Sequence, residues 1–231
     1  MIKTIIFDAD DTLWHNEAFF RENEEIYFDL LSRFKPRAEL REDFFRKEMM
    51  DLPLYGYGVK AFILSMLEMY IGMTDSKDDL VYSDVKTILE LGRTHLNEPV
   101  ILLDDVEQVL KSLSKDFPLV IATKGDLLDQ ERKLRRSGIE SYFHHIEIMS
   151  DKKLEDYIKL LSKLNLEASQ VLIVGNSLKS DIVPVLELGG WGVHVPYVTT
   201  WEHEEYHDEI NSDKFFTLNS IKELPLLLSN L

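Results

Sequence analysis

Apolar residues follow two rhythms along this chain. From about residue 100 onward, short apolar runs at Phe117 to Ala122, Gln170 to Val174, Trp191 to Val195 and Phe215 to Leu218 each have the length of a buried strand. Between them, apolar residues recur at helical spacing: Val106, Val109, Leu110 and Leu113; Leu154, Tyr157, Ile158, Leu161 and Leu164; Ile182, Val185 and Leu186; Ile221, Leu224 and Leu228. Ile2 to Phe7 forms a further run that stops at Asp8. Strands alternating with helices predict an α/β protein, with a doubly wound parallel sheet covered by helices on both faces.

Residues 16 to 95 read differently, because helical stripes follow one another there with no strand between. They comprise Phe19, Phe20, Ile26, Tyr27, Leu30, Leu31 and Phe34 after a possible Asn16 cap, then Val59, Phe62, Ile63, Met66, Leu67 and Tyr70, then Val85, Ile88 and Leu89. The expected organisation is an α/β core over 1–15 and 96–231, with an all-helical cap over 16–95 hanging as a lid over the end of the first strand.

The 231 residues suffice for a sizeable core without staples, and a 45% hydrophobic, 29% charged composition is that of a globular chain. With no cysteine, disulfides, thiolate metal sites and cysteine nucleophiles are excluded. A net charge of −16 repels nucleic acid and anionic membrane. The opening run is too short for a signal segment, and no segment reaches the ~18 apolar residues of a membrane span. A soluble, cytoplasmic protein is expected.

Parallel α/β sheets bind ligands beyond the carboxyl ends of their strands. Asp8, Ala9, Asp10, Asp11, Thr12 and Leu13 follow the first run; Thr123, Lys124 and Gly125 follow the second; Gly175, Asn176, Ser177 and, farther on, Asp181 follow Val174; Lys152 precedes a helix. Three carboxylates sharing a small site require a cation, and oxygen ligands select a hard one, Mg²⁺. A carboxylate nucleophile beside a metal, a lysine and a hydroxyl is also what phosphoryl transfer requires.

These residues resemble the haloacid dehalogenase-like hydrolase superfamily. Its DxDx[TV] motif stands here as IIFDADDTL (5 to 13), its strand ending in Ser or Thr as LVIAT ending at Thr123, its lysine before a helix as Lys152 or Lys153 in DKKLEDYIKLL, and its GDxxxxD motif as VLIVGNSLKSD (171 to 181). The resemblance implies a Rossmann-like core and a Mg²⁺-dependent phosphatase acting on a small phosphorylated metabolite. Asp8 would form an aspartyl-phosphate, and Asp10 would act as general acid and base. Thr123 would bind phosphoryl oxygens, with Lys124 and Gly125 after it as further contacts. Lys152, preferred to Lys153 for its offset from Tyr157, would offset charge. Asp8, the Asp10 carbonyl and Asp181 would hold Mg²⁺. Asn176, a further candidate substrate contact, replaces the usual first acid of the fourth motif, keeping an oxygen but losing a charge.

An acid at a strand end is otherwise a turn or cap residue, and Asp11 and Lys124 read as surface or supporting residues. Tyr55, Gly56, Tyr57 and Gly58 are expected to open the middle helix of the lid, and Trp14, His15, Tyr55, Tyr57 and Lys60 are expected substrate contacts, the last three because a lid facing the catalytic edge would select the leaving group. His203, Glu204, Glu205, Tyr206 and His207 spell HExxH, but their acidic surroundings lack the apolar stripe of a zinc-binding helix. Rival readings are a phosphomutase, a 2-haloacid dehalogenase, a phospho-aspartate signalling module and a plain binding protein.

Overall fold

The computed structural model describes residues 1–74 and 81–231. The chain divides into two compact units, one of Met1–Glu17, Val100–Lys124 and Gln130–Leu231, the other of Ala18–Pro99 and Gly125–Asp129. The short segment Gly125–Asp129 therefore groups with the helical unit, although the sequence reading counts it with the α/β part.

In the first unit, strands β1 (Thr4–Phe7), β2 (Leu119–Lys124), β3 (Phe143–Met149), β4 (Val171–Gly175), β5 (Trp191–His194) and β6 (Phe215–Thr217) form one sheet in the order β3-β2-β1-β4-β5-β6. Every pairing is parallel. β1 and β4 are adjacent, with Thr4 opposite Val171 and Phe7 opposite Val174. Later strands add outward on both sides of β1, so the order reverses between β1 and β4, the place where sheets of this kind bind ligands beyond the carboxyl ends.

Alternation along the strands assigns their side chains to two cores. Ile5, Phe7, Leu119, Ile121, Leu172 and Val174 pack with α5 (Val106–Leu113) and α9 (Leu224–Ser229). Ile6, Val120, Ala122, Val171 and Ile173 pack with α7 (Leu154–Leu164) and with Ile182 and Val185. Both faces are thus dry, which is why β1, β2 and β4 read as nearly continuous apolar runs.

The sequence reading did not anticipate β3 or α6 (Leu127–Ser137). β3 is an edge strand whose FHHIEIM sequence is mostly half-buried. On α6, Leu134 is buried while Leu127 and Leu128 are exposed, so its apolar stripe is faint.

The second unit contains helices and no strand among its described residues, with α1 (Glu17–Leu31) entering it and α2 (Arg37–Tyr55), α3 (Val59–Met73) and α4 (Tyr82–His95) within it. Its core gathers Tyr27, Phe28, Leu31, Leu40, Phe44, Phe62, Met66, Tyr70 and Ile88. Phe44 meets Phe62 edge-on at 5.5 Å between ring centroids, and the buried Tyr27 hydroxyl donates to the Met66 carbonyl at 2.8 Å. Helix α2 was not expected, because its charged sequence buries only Leu40, Phe44 and Asp51. Tyr55 accordingly ends α2 instead of opening the next helix, and α3 starts after Gly58, whose φ of 105° favours glycine. No helix among the described residues is long and apolar enough to cross a membrane.

Ile173, fully buried in β4, gives the sheet a direct test. Ile173→Ala is expected to cost about 2–5 kcal/mol and Ile173→Val about 0.5–1.5 kcal/mol, measured as shifts in the urea unfolding midpoint.

Candidate active site

The carboxyl edge of β1 and β4 concentrates buried charge. Asp8 follows β1 and is tied to β4 by its amide, which donates to the Val174 carbonyl at 2.9 Å. Asp8 is 6% exposed, Lys152 3% and Asp181 1%. Lys152 Nζ donates to Asp8 Oδ1 and, at 2.7 Å, to Asp181 Oδ1. Thr12 Oγ1 donates to Asp8 Oδ2 at 2.8 Å. One ammonium therefore lies between two carboxylates contributed by segments far apart in the chain.

Burial lifts the Asp8 carboxyl to about 7, Lys152 opposing the rise and the Asp181 charge adding to it. For Lys152, burial disfavours the ammonium, but Asp181 and Asp8 outweigh it and hold its proton well above the ordinary lysine range. Lys153, by contrast, leaves its side chain 73% exposed and pairs with Asp151 at 2.8 Å.

Asp181 sits on a π-helical turn, Leu178–Ile182, ahead of α8 (Val183–Glu187). It can lie against the end of β4 because residue 175 is glycine: a Cβ there would be 2.2 Å from Asp181 Oδ2. The Ser177 amide donates to Asp181 Oδ2 at 3.0 Å.

Asn176 faces the same point. Turned so that its amide nitrogen donates, it reaches the Asp10 carbonyl, Asp8 Oδ2 and Thr12 Oγ1, each at 3.2 Å. Three oxygens thus converge where a positively polarised partner is wanted. Among the described residues no three His, Cys, Asp or Glu side chains meet at metal-binding distance. The donor set that fits a hard cation is instead mixed: the carboxylates of Asp8 and Asp181 and the Asp10 carbonyl, to which Asn176 adds its amide oxygen only by turning the amide back.

The Asp10 side chain turns to other partners. It accepts from Trp14 Nε1 at 2.6 Å, Gln130 Nε2 at 2.6 Å and Lys133 Nζ at 2.9 Å. Burial would raise its pKa, but Lys133 and these hydrogen bonds overcome that and lower it. Trp14, expected as a substrate contact, is 1% exposed and supports Asp10 instead. Asp11, expected at the surface or in support, is buried at a φ of 60° and caps α1, accepting from the amides of Asn16 at 2.8 Å and Glu17 at 3.0 Å. Burial and the neighbouring Asp10 push its carboxyl up to about 8.

Thr123 is buried at 3% exposure, on the strand beside β1 and two residues beyond Ile121, the register partner of Phe7. Lys124 donates to Ser180 Oγ at 2.8 Å and pairs with Glu204. Gly125 has a φ of 134°. His15 bonds the Tyr197 hydroxyl through Nδ1 at 2.7 Å. Tyr55 and Lys60 belong to the helical unit, where Tyr55 donates to Glu68 and Lys60 pairs with Asp126 at 2.8 Å; Tyr57 lies in the turn before α3.

The HExxH letters do not form the helix that pattern requires: Glu202–Glu204 is one 3₁₀ turn and Glu205 is extended. Glu204 is instead a partly buried acid, its carboxyl held down at about 2 because Lys124 and hydrogen bonds from Lys124, Ser177 and Ser180 outweigh its burial. Sequence reasoning missed Gln130, Lys133 and Glu204 as partners of the site. Lys133 has no local mark separating it from Arg132, Arg135 and Arg136 on the same helix.

A family model described as haloacid dehalogenase-like hydrolase matches residues 2–186. A haloacid dehalogenase-like family hydrolase from Xanthomonas campestris superposes with a TM-score of 0.88 at 31% identity, over 99% of this chain and 91% of that one. Glyceraldehyde 3-phosphate phosphatase of Methanocaldococcus jannaschii is 29% identical over 100% of this chain and 99% of its own. The HAD-hydrolase YfnB of Bacillus subtilis, solved bound to magnesium, shares the fold at a TM-score of 0.68 and 17% identity, over 99% of each chain.

Two outcomes follow from the buried charges. Lys152→Met strands both carboxylates and is expected to lower unfolding free energy by about 3–5 kcal/mol at neutral pH, with the deficit shrinking as acid protonates Asp8, read by urea titrations across pH. Glu204 has a folded pKa near 2 against an ordinary 4.5, so it lends stability above pH 4.5 that is lost as the pH falls toward 2. The stability difference between wild type and Glu204→Gln should therefore narrow through that window, measured by the same titrations.

Proposed function

The chain belongs to the haloacid dehalogenase-like hydrolase family, and on that premise we propose that it is a Mg²⁺-dependent phosphatase that hydrolyses a small phosphomonoester through an aspartyl-phosphate on Asp8. The observation that carries this reading is the buried Asp8–Lys152–Asp181 cluster, beside the oxygens of Asp8, the Asp10 backbone and Thr12 that converge on Asn176.

Asp8 Oδ1 and Oδ2 are already engaged by Lys152 and Thr12, which fixes the carboxylate's orientation for in-line attack. The Asp8–phosphorus bond forms as the ester bond breaks, and the leaving oxygen takes a proton from Asp10. Water then attacks the aspartyl-phosphate, its proton passing to Asp10, and phosphate leaves with Asp8 restored. In the arrangement observed, Lys133, Gln130 and Trp14 keep Asp10 ionised, the form that accepts a proton from water. Delivering one to the leaving group requires Asp10 to come away from Lys133.

Thr123 and the amides after β2 bind phosphoryl oxygens, and Lys152 balances charge between Asp8 and the phosphoryl group. Asp8, the Asp10 carbonyl, Asp181 and Asn176 would hold Mg²⁺, which supplies charge neutralisation for the phosphoryl oxygens. Asn176 contributes oxygen without charge, so Asp181 carries more of the metal affinity.

The full-length likeness to an archaeal glyceraldehyde 3-phosphate phosphatase makes a short phosphorylated carbon chain the first substrate class to test. The helical unit, over residues 16–95, is proposed as the cap that selects the leaving group, with His15, Tyr55, Tyr57 and Lys60 as candidate contacts.

Phosphate release from p-nitrophenyl phosphate and glyceraldehyde 3-phosphate is expected with Mg²⁺ and not with excess chelator. Asp8→Asn should lower turnover by at least on the order of 10³-fold and Asp181→Ala should abolish the Mg²⁺-dependent part. Halide release from 2-chloropropionate without phosphate release would replace this reading with a dehalogenase.

A further inference from the structure

Glu204 lies outside the four family-like motifs, on the segment joining β5 to β6, yet its side chain is only 11% exposed. Ser177 Oγ donates to it at 2.6 Å, Ser180 Oγ donates to it at 2.5 Å, and Lys124 Nζ pairs with its other oxygen. Lys124 Nζ also donates to Ser180 Oγ at 2.8 Å. The cation following Thr123 on β2 and the two serines of the loop after β4 therefore meet on one carboxylate.

The serines lead directly to Asp181. The Ser180 amide donates to Ser177 Oγ at 3.0 Å, and the Ser177 amide donates to Asp181 Oδ2 at 3.0 Å. Asp181 Oδ1 faces Lys152. The backbone here is a π-turn, in which the Ile182 amide reaches the Ser177 carbonyl at 3.3 Å. Such turns are seldom stable alone, and they persist where surrounding contacts fix them. An ionised carboxylate suits this position because it accepts several donors at once, which a neutral amide cannot match.

We propose that Glu204 is a positioning residue for the cation site: by gathering Lys124, Ser177 and Ser180 it holds the 176–181 loop so that Asp181 faces Asp8 and Lys152. This rests on the metal-dependent reading of the site given above. Glu204 touches neither the ester nor the metal in this scheme, and it acts through the loop. If it served only to anchor the β5–β6 segment, its loss would lower stability and leave metal affinity untouched.

The test uses the full chain as wild type, Glu204→Gln and Glu204→Ala. Titration calorimetry with Mg²⁺ alone is paired with amide hydrogen exchange over 177–182 and with the thermal midpoint. Glu204→Ala is expected to weaken Mg²⁺ binding about tenfold, the lower end of what losing an outer partner of a metal ligand costs. Glu204→Gln, which keeps one acceptor for the serines, should fall between. Exchange should accelerate across 177–182 and stay unchanged in β1. Wild-type Mg²⁺ affinity and exchange in Glu204→Gln and Glu204→Ala, whatever their thermal midpoints, would overturn the proposal while leaving the metal reading intact. A wild type that takes up no Mg²⁺ would overturn both. If Glu204→Ala does not fold, the isosteric Glu204→Gln decides the matter by the same readouts.

Discussion

Two carboxylates and one ammonium are buried together at the point where the strand order reverses, and much of the first unit is arranged around that fact. Removing three charges from water is costly unless each finds a partner. Lys152 partners both Asp8 and Asp181, and Thr12 and the Ser177 amide take the remaining oxygens. Lys152 does not fully offset the cost for Asp8: burial, with the Asp181 charge adding to it, still lifts that carboxyl. A site in that condition is electrostatically prepared for a hard cation, and the convergence of oxygens on Asn176 points to the same place.

The sheet makes this arrangement rigid. Asp8 and Asp181 are positioned by β1 and β4, neighbouring strands whose side chains are fully buried from Ile5 to Phe7 and from Val171 to Val174. Gly175 removes the one Cβ that would hold Asp181 away from the strand end. Around that centre stand two polar clusters of like design. Asp10 is surrounded by donors from Trp14 and α6, while Glu204 collects donors from β2 and the loop after β4. Each is a partly buried acid kept charged by a lysine, Lys133 for the first and Lys124 for the second.

How much could be read in advance depended on how local the signal was. β1, β2, β4, β5 and β6 stood out as apolar runs, and the residues after them were visible as candidates because function follows strand ends in parallel sheets. Edge strand β3 and helices α2 and α6 did not stand out. Each packs only part of a face, so tertiary contact, not periodicity, stabilises them. Tyr55 shows the consequence: with α2 unseen, it was assigned to the start of the following helix although it ends α2.

The amino-acid order by itself determined the α/β class, the helical stretch following β1 and the spacing of Asp8, Asp10, Thr123, Asn176 and Asp181, because each is written in residues that are neighbours or regularly spaced. Only the tertiary structure decided that Lys152 is buried between two carboxylates while Lys153 points to water, that Trp14 and Lys133 hold Asp10, and that Glu204 joins the loops around Asp181. Adjacent lysines look alike in a sequence. Their difference is made by which side chain the packed chain removes from solvent, and that is a property of distant segments brought together.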